Sequence, residues 1–220
     1  MDKELATNQL FHIPEHVIYC KLLQAKYNIK QGNDKEAQEQ IDQIESSHKS
    51  LSDYETNLFK HILGLYYMSF EEHKKSIDTF NEIDNKNYSN PSFYYDLSVA
   101  YHNVHSPVLS YYYAEKALNY FKKTNNFFRI IDTENLMLIQ VEFDQHRNFN
   151  STIEKYENLI KLCNLCNSPD KKAKVLHNFA YEHLRRKKYH TTGGLYKESM
   201  ALKDKRSTLY LLSFGRIYSK

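Results

Sequence analysis

Residues Leu58 to Ile83, LFKHILGLYYMSFEEHKKSIDTFNEI, restrict the fold of this chain more than any other stretch. The first half is apolar on more than one side through Leu58, Ile62, Leu63, Leu65, Tyr66 and Tyr67, as a helix must be when neighbours sandwich it. The second half sets Ile77, Phe80 and Ile83 at helical spacing and charges elsewhere. Two short antiparallel helices cannot bury such faces alone, so similar hairpins must precede and follow them. The expectation is an array of stacked helical pairs.

Helix-start signals recur along the chain. Pro14 can open a first helix, and Gly32 followed by Asn33 and Asp34 closes it and caps the next. Ser52 with Glu55 forms a capping box before Leu58. Asn90 before Pro91, Ser106 before Pro107 and Ser168 before Pro169 are three further cap-plus-proline starts. These divide one domain, 1–220, into hairpins at about 15–48, 53–84, 91–122, 127–166 and 169–204, with 207–218 as a C-terminal cap. With five Gly and four Pro, folds built on many tight β-turns are disfavoured. No apolar run reaches the length of about eighteen that a membrane span needs, and the first residues lack a basic, apolar leader. Three Cys are too few for a disulfide framework, so a soluble cytoplasmic protein is expected.

The five segments align residue by residue. In the second, a small residue, an aromatic, a second small residue and two apolar anchors are Gly64, Tyr67, Ser76, Phe80 and Ile83. The same places hold Ala25, Asn28, Ala37, Ile41 and Ile44 in the first, and Ser98, Tyr101, Ser110, Ala114 and Ala117 in the third. The fourth gives Gln140, Phe143, Thr152, Tyr156 and Leu159, and the fifth Ala180, His183, Thr192, Tyr196 and Ser199. This pattern resembles the tetratricopeptide repeat, although the spacings of 39, 34, 42 and 40 residues mostly exceed its usual period. The resemblance implies an all-α, right-handed superhelix of about five hairpins, closed by the cap.

In such a superhelix the first helix of each pair lines the concave side. The residues expected to face inward are Lys26, Lys30, His61, Met68, Tyr95, His102, Asn103, Asp144, Gln145, His177, Tyr181 and Arg185, with Asn178 beside His177. Taken singly, each is also an ordinary helix-surface residue. Together they form a polar and aromatic face, and Asn and Gln can bond both the N–H and the C=O of an extended peptide.

Other motifs read as structural. Cys163 and Cys166 lie on an apolar helix face without a second pair, so core packing is expected over metal or redox chemistry. His12 and His16 are separated by Pro14, and no metal-site motif stands out. Gly193 and Gly194 fall inside an expected helix, which points to a kink or a close helix contact. No catalytic set, dinucleotide fingerprint or phosphate loop is present, so neither an enzyme nor a cofactor is expected. The net charge of +3 is uneven: from Pro169 onward 13 Lys/Arg face 4 Asp/Glu. That basic third is either a solvated surface or a docking face for an acidic partner or nucleic acid.

The repeat count, long period and closing segment are similar to the peptide-binding regions of the Gram-positive Rap/NprR/PlcR/PrgX quorum-sensing regulators. That resemblance implies a short peptide, or a peptide segment of another protein, held in the groove largely by Asn. By groove position the candidates are Tyr95, His102, Asn103, Gln145, His177, Asn178, Tyr181 and Arg185. It allows a homodimer, and DNA contact only through a domain outside this chain. Transcription-factor members carry an N-terminal helix-turn-helix, for which residues 1–14 are too short, and phosphatase members carry an N-terminal three-helix bundle. The chain therefore reads as a sensor region or as a stand-alone repeat protein. A protein–protein scaffold using its outer or basic C-terminal surface is the alternative.

Overall fold

The computed structural model of the chain describes residues 14–46, 51–140, 148–203, 211–212 and 215–216. Ten helices and no strands occur among them: α1 (Pro14–Gln31), α2 (Asp34–Ser46), α3 (Asp53–Ser69), α4 (His73–Asn81), α5 (Pro91–Asn103), α6 (Pro107–Lys123), α7 (Phe127–Gln140), α8 (Phe149–Leu165), α9 (Pro169–Arg185) and α10 (Tyr189–Ala201). None of the described helices is long and apolar enough to cross a membrane. The chain divides into two compact units, 1–106 and 107–220. Their boundary falls between α5 and α6, inside the stretch expected as the third hairpin.

The start signals act as their chemistry requires. At α3, Ser52 Oγ accepts from the Glu55 N–H at 3.3 Å while the Ser52 N–H donates to Glu55 Oε2 at 2.9 Å. Asn90 Oδ1 caps α5 by accepting from the Ser92 N–H at 3.1 Å. Ser168 differs: its side chain makes no cap bond, and Pro169 opens α9 by its fixed φ instead.

Six of the turns between helices share one device. At each, a residue with positive φ is followed by an N–H that donates to the carbonyl five positions back, a Schellman closure. The bonds are Asn33 to Asn28, Glu72 to Tyr67, Ser106 to Tyr101, Asn126 to Phe121, Ser168 to Cys163 and Lys188 to His183. Only the first uses glycine, Gly32 with φ 73°; the others place Glu71, His105, Asn125, Asn167 and Lys187 at φ 47–61°.

In the first unit α1 packs on α2 and α3, α3 on α4, and α4 on α5. Gly64 lies against Phe80 so closely that a Cβ would stand 2.3 Å from the ring's Cε1. Ser76 Oγ donates to the Gly64 carbonyl at 2.8 Å, holding α4 against α3. Phe80, Tyr88 and Phe93 surround His61, with ring centroids 5.5–5.8 Å from it. The expected inward-facing position of His61 is therefore corrected: it is 0% exposed. Its two ring nitrogens meet the Tyr88 hydroxyl at 2.8 Å and Asp96 Oδ2 at 2.9 Å, which gives a polar ring a place inside an aromatic core.

In the second unit α6 packs on α7, α7 on α8 and α9, α8 on α9, and α9 on α10. Ile131, Leu138, Tyr156, Leu159, Cys163, Val175 and Phe179 form its core, with Tyr156 and Phe179 stacked at 4.9 Å. Cys163 is buried there and Cys166 packs beside it, both as free thiols, as the apolar helix face implied. Burial pushes the Cys163 thiol up to about 11, which keeps it protonated and inert. Ser199 Oγ donates to the Ala173 carbonyl at 2.7 Å and ties α10 to α9.

Most of the aligned repeat positions are buried, including the poor matches Asn28, Gln140 and His183, while Tyr67 and Tyr101 are half-buried. Phe143 lies outside the described residues, as does most of the expected cap 207–218. Gly193 and Gly194 depart from expectation, because nothing stands within 4 Å of a Cβ at either position. No close contact demands them. Gly193→Ala and Gly194→Ala are each expected to stabilise α10 by up to about 1 kcal/mol, read as a higher midpoint in urea unfolding. A lower midpoint for both would show a constraint that the packing does not.

Candidate functional site

In the second unit α7 and α9 run side by side and exchange polar contacts. Lys171 Nζ on α9 lies 2.6 Å from both carboxylate oxygens of Asp132 on α7, and Arg129 Nη1 stands 3.9 Å from the same group. Two turns along, Asn178 Nδ2 donates to Asn135 Oδ1 at 3.2 Å. That single bond uses one donor and one acceptor. The Asn178 Oδ1 and Asn135 Nδ2 make no other hydrogen bond among the described residues, and both side chains are half-buried.

Further along α9, Arg216 approaches from the C-terminal stretch. Its Nη1 donates to His177 Nε2 at 3.1 Å and to the Tyr196 hydroxyl at 3.2 Å, and its guanidinium lies 4.6 Å from the centre of the Tyr181 ring. Burial, and secondarily the Arg216 charge, push His177 down to about 4. The imidazole is therefore neutral near pH 7, and with Nε2 accepting, Nδ1 carries the proton.

The remaining expected residues fall as follows. Arg185 is exposed and pairs with Glu182 at 3.4 Å, an acid that also holds Arg186 at 3.2 Å. Tyr95, His102 and Asn103 are half-buried on α5 in the first unit. Lys26 and Met68 are half-buried and Lys30 is exposed. Asp144 and Gln145 lie outside the described residues. The structure thus brings His177, Asn178 and Tyr181 together on α9.

Sequence reasoning missed Asp132, Asn135, Lys171, Tyr196 as a polar contact, and Arg216. A signal for two of them existed: Asp132 and Asn135 are three apart in FFRIIDTENLMLIQ, whose other side is apolar. Lys171, Lys172, Arg185, Arg186 and Lys203 all pair with acids, but only Asp132, the partner of Lys171, lies outside the basic third, so the excess itself is not neutralised by these pairs. No group of acids, His and Cys able to hold a metal ion occurs among the described residues.

Paired antiparallel helices with small residues at their contacts define an all-α fold of the tetratricopeptide-repeat type. Among solved structures the chain is similar to the quorum sensor NprR from B. thuringiensis in its apo form, with a TM-score of 0.79 and 19% identity over 98% of this chain. It is similar to NprR in complex with its cognate peptide NprX at a TM-score of 0.82 and 19% identity over 97% of the chain. It is also similar to a Rap protein complexed with Competence and Sporulation Factor, at a TM-score of 0.81 and 14% identity over 97%. The chain spans 62–64% of the length of those three proteins. No protein-family model matches the sequence, and no curated protein does.

Proposed function

We propose that this chain is the peptide-binding sensor region of a cytoplasmic regulator of the quorum-sensing type. The observation that carries the reading is the Asn135–Asn178 pair. It presents one unused acceptor and one unused donor on neighbouring helices, the complement of a peptide group, whose N–H and C=O are unpaired in an extended chain. The likeness to NprR and a Rap protein, both solved with a bound peptide or factor, supports the same reading. In the second unit Tyr181 on α9 supplies a further aromatic contact; Tyr95, His102 and Asn103 on α5 are the residues assigned in the first unit. Gln145 and Arg185 complete the assigned residues. Binding draws helices of the array together and so changes a dimer contact or an attached effector domain; DNA contact, where it occurs, belongs to a domain outside this chain.

Calorimetry against a library of short peptides tests this. A bound peptide should lose about 3- to 10-fold in affinity with Asn178→Ala or Asn135→Ala, the cost of one or two hydrogen bonds. Affinity unchanged in both variants, or no peptide bound by the wild type, would sink the proposal.

A second reading, a scaffold that docks partners on the basic α9–α10 turn, draws on the Arg186 and Lys188 cations, 4.3 Å and 4.5 Å from the centre of the Phe149 ring. Pull-downs that survive the two Asn changes but fail when Arg185, Arg186, Lys187 and Lys188 are neutralised would favour it.

A further inference from the structure

Arg216 is held in an unusual way for a cation. It meets an imidazole nitrogen, a phenol oxygen and an aromatic face, and no carboxylate among its described partners. The two hydrogen-bonding groups are built into the fold: His177 is 6% exposed and Tyr196 is 0% exposed. Their rings sit 5.2 Å apart, so α9 and α10 hold the two acceptors side by side. Tyr181 is half-buried and covers the guanidinium from one side.

This arrangement selects a guanidinium. Nη1 gives one N–H to each acceptor while the guanidinium carbon lies over the Tyr181 ring, a partly desolvated position that suits the weakly hydrated, delocalised guanidinium better than a strongly hydrated ammonium. It also holds its occupant without an ion pair, by two neutral acceptors and an aromatic face. Asn178 and Tyr181 are three residues apart on α9 and so neighbours on one helix face, which would put a peptide bonded at Asn178 within reach of the Tyr181 side of the pocket.

We propose that His177, Tyr181 and Tyr196 form a guanidinium pocket, filled by Arg216 in the free protein and taken over by an arginine side chain of the bound peptide. Arg216 is then a built-in stand-in for the ligand. Displacing it couples recognition at α9 to the segment that carries Arg216. Naming a peptide arginine as the displacing group rests on the peptide-binding reading above; the pocket itself does not.

The test separates the two. N-acetyl-arginine methylamide, N-acetyl-lysine methylamide and a neutral citrulline analogue are titrated into wild type, Arg216→Ala and Arg216→Lys, with binding followed by NMR of the His177 ring. Both variants should bind the arginine probe at least about 10-fold more tightly than wild type, because the tethered competitor is gone or is replaced by a more strongly hydrated ammonium. Neither should bind the lysine or citrulline probe comparably, and adding Tyr181→Ala should abolish the preference. Arg216→Lys keeps a cation at the position, so it serves if the alanine variant fails to fold. Equal binding of the arginine probe by wild type and variants, or equal binding of the arginine and lysine probes, overturns the pocket. If the probe arm succeeds while arginine-containing and citrulline-containing peptides bind wild type alike, the pocket stands and its assignment to the peptide fails.

Discussion

Phe80→Ala is expected to destabilise the chain by about 3–5 kcal/mol, because a wholly buried ring at the α3–α4 contact leaves a cavity its neighbours cannot fill. Gly64→Ala should cost about 1–3 kcal/mol by overpacking, since the new methyl would meet that ring at 2.3 Å. The two changes should not add. With Phe80 reduced to alanine, the methyl at position 64 enters vacated space, and alanine is the better helix former by about 1 kcal/mol. Gly64→Ala in the Phe80→Ala background is therefore expected to be neutral or stabilising. A double-mutant cycle in urea measures this, and additive costs would show that Gly64 is set by something other than the ring.

Removing Asp96 should have the next largest effect. Asp96→Ala leaves the buried His61 Nε2 without its partner, at an expected cost of about 2–3 kcal/mol, whereas Asp96→Asn keeps a bonding oxygen and should cost less. The pH dependence follows from His61, His177 and His183, all of which are held below the ordinary imidazole range. For His61 the cause is burial, partly opposed by Asp96. For His177 it is burial and then Arg216, and for His183 burial and then Lys188. Below about pH 6.5 the unfolded chain takes up protons that the folded chain refuses, so stability should be full above that pH and decline as pH falls toward about 4. Asp96→Ala removes the one group that favours a charged His61, so the decline should steepen in that variant. Unfolding free energies that stay flat from pH 7 to pH 5 in the wild type would falsify the account.

The architecture was legible in the sequence where a rule is local. Ser52 with Glu55 and Asn90 before Pro91 announce helix starts because a side chain two or three residues away completes the cap. The repeat alignment put Gly64, Phe80, Tyr156 and Leu159 at equivalent small and apolar positions, and all four are buried. Even Gln140 and His183, mismatched in chemistry, are buried, because position on the helix face decided their environment before side-chain type did.

The site was legible only in part. Tyr181 was expected to face inward by counting from Ala180, and Asn178 only as the neighbour of His177. Asn135, which completes the pair, is 43 residues away and signalled only by polarity within an apolar helix. Arg216 gave no signal at all, since its partners lie 39 and 20 residues back. The turns show the same limit, for five of the six left-handed positions carry residues other than glycine. Helix packing on both sides imposes that conformation, which an L-residue adopts at a modest cost.

By itself, then, the sequence determined where several of the described helices start and which repeat positions lie at helix contacts, because caps and periodicity act over a few residues and are written in order. Only the tertiary structure decided what the buried polar groups do. His61 could have faced a groove, and instead Tyr88 and Asp96 close on it from 27 and 35 residues away. The physical reason is that a buried polar atom must find a partner wherever the packing brings one, and the packing of stacked helices joins residues by register rather than by sequence distance.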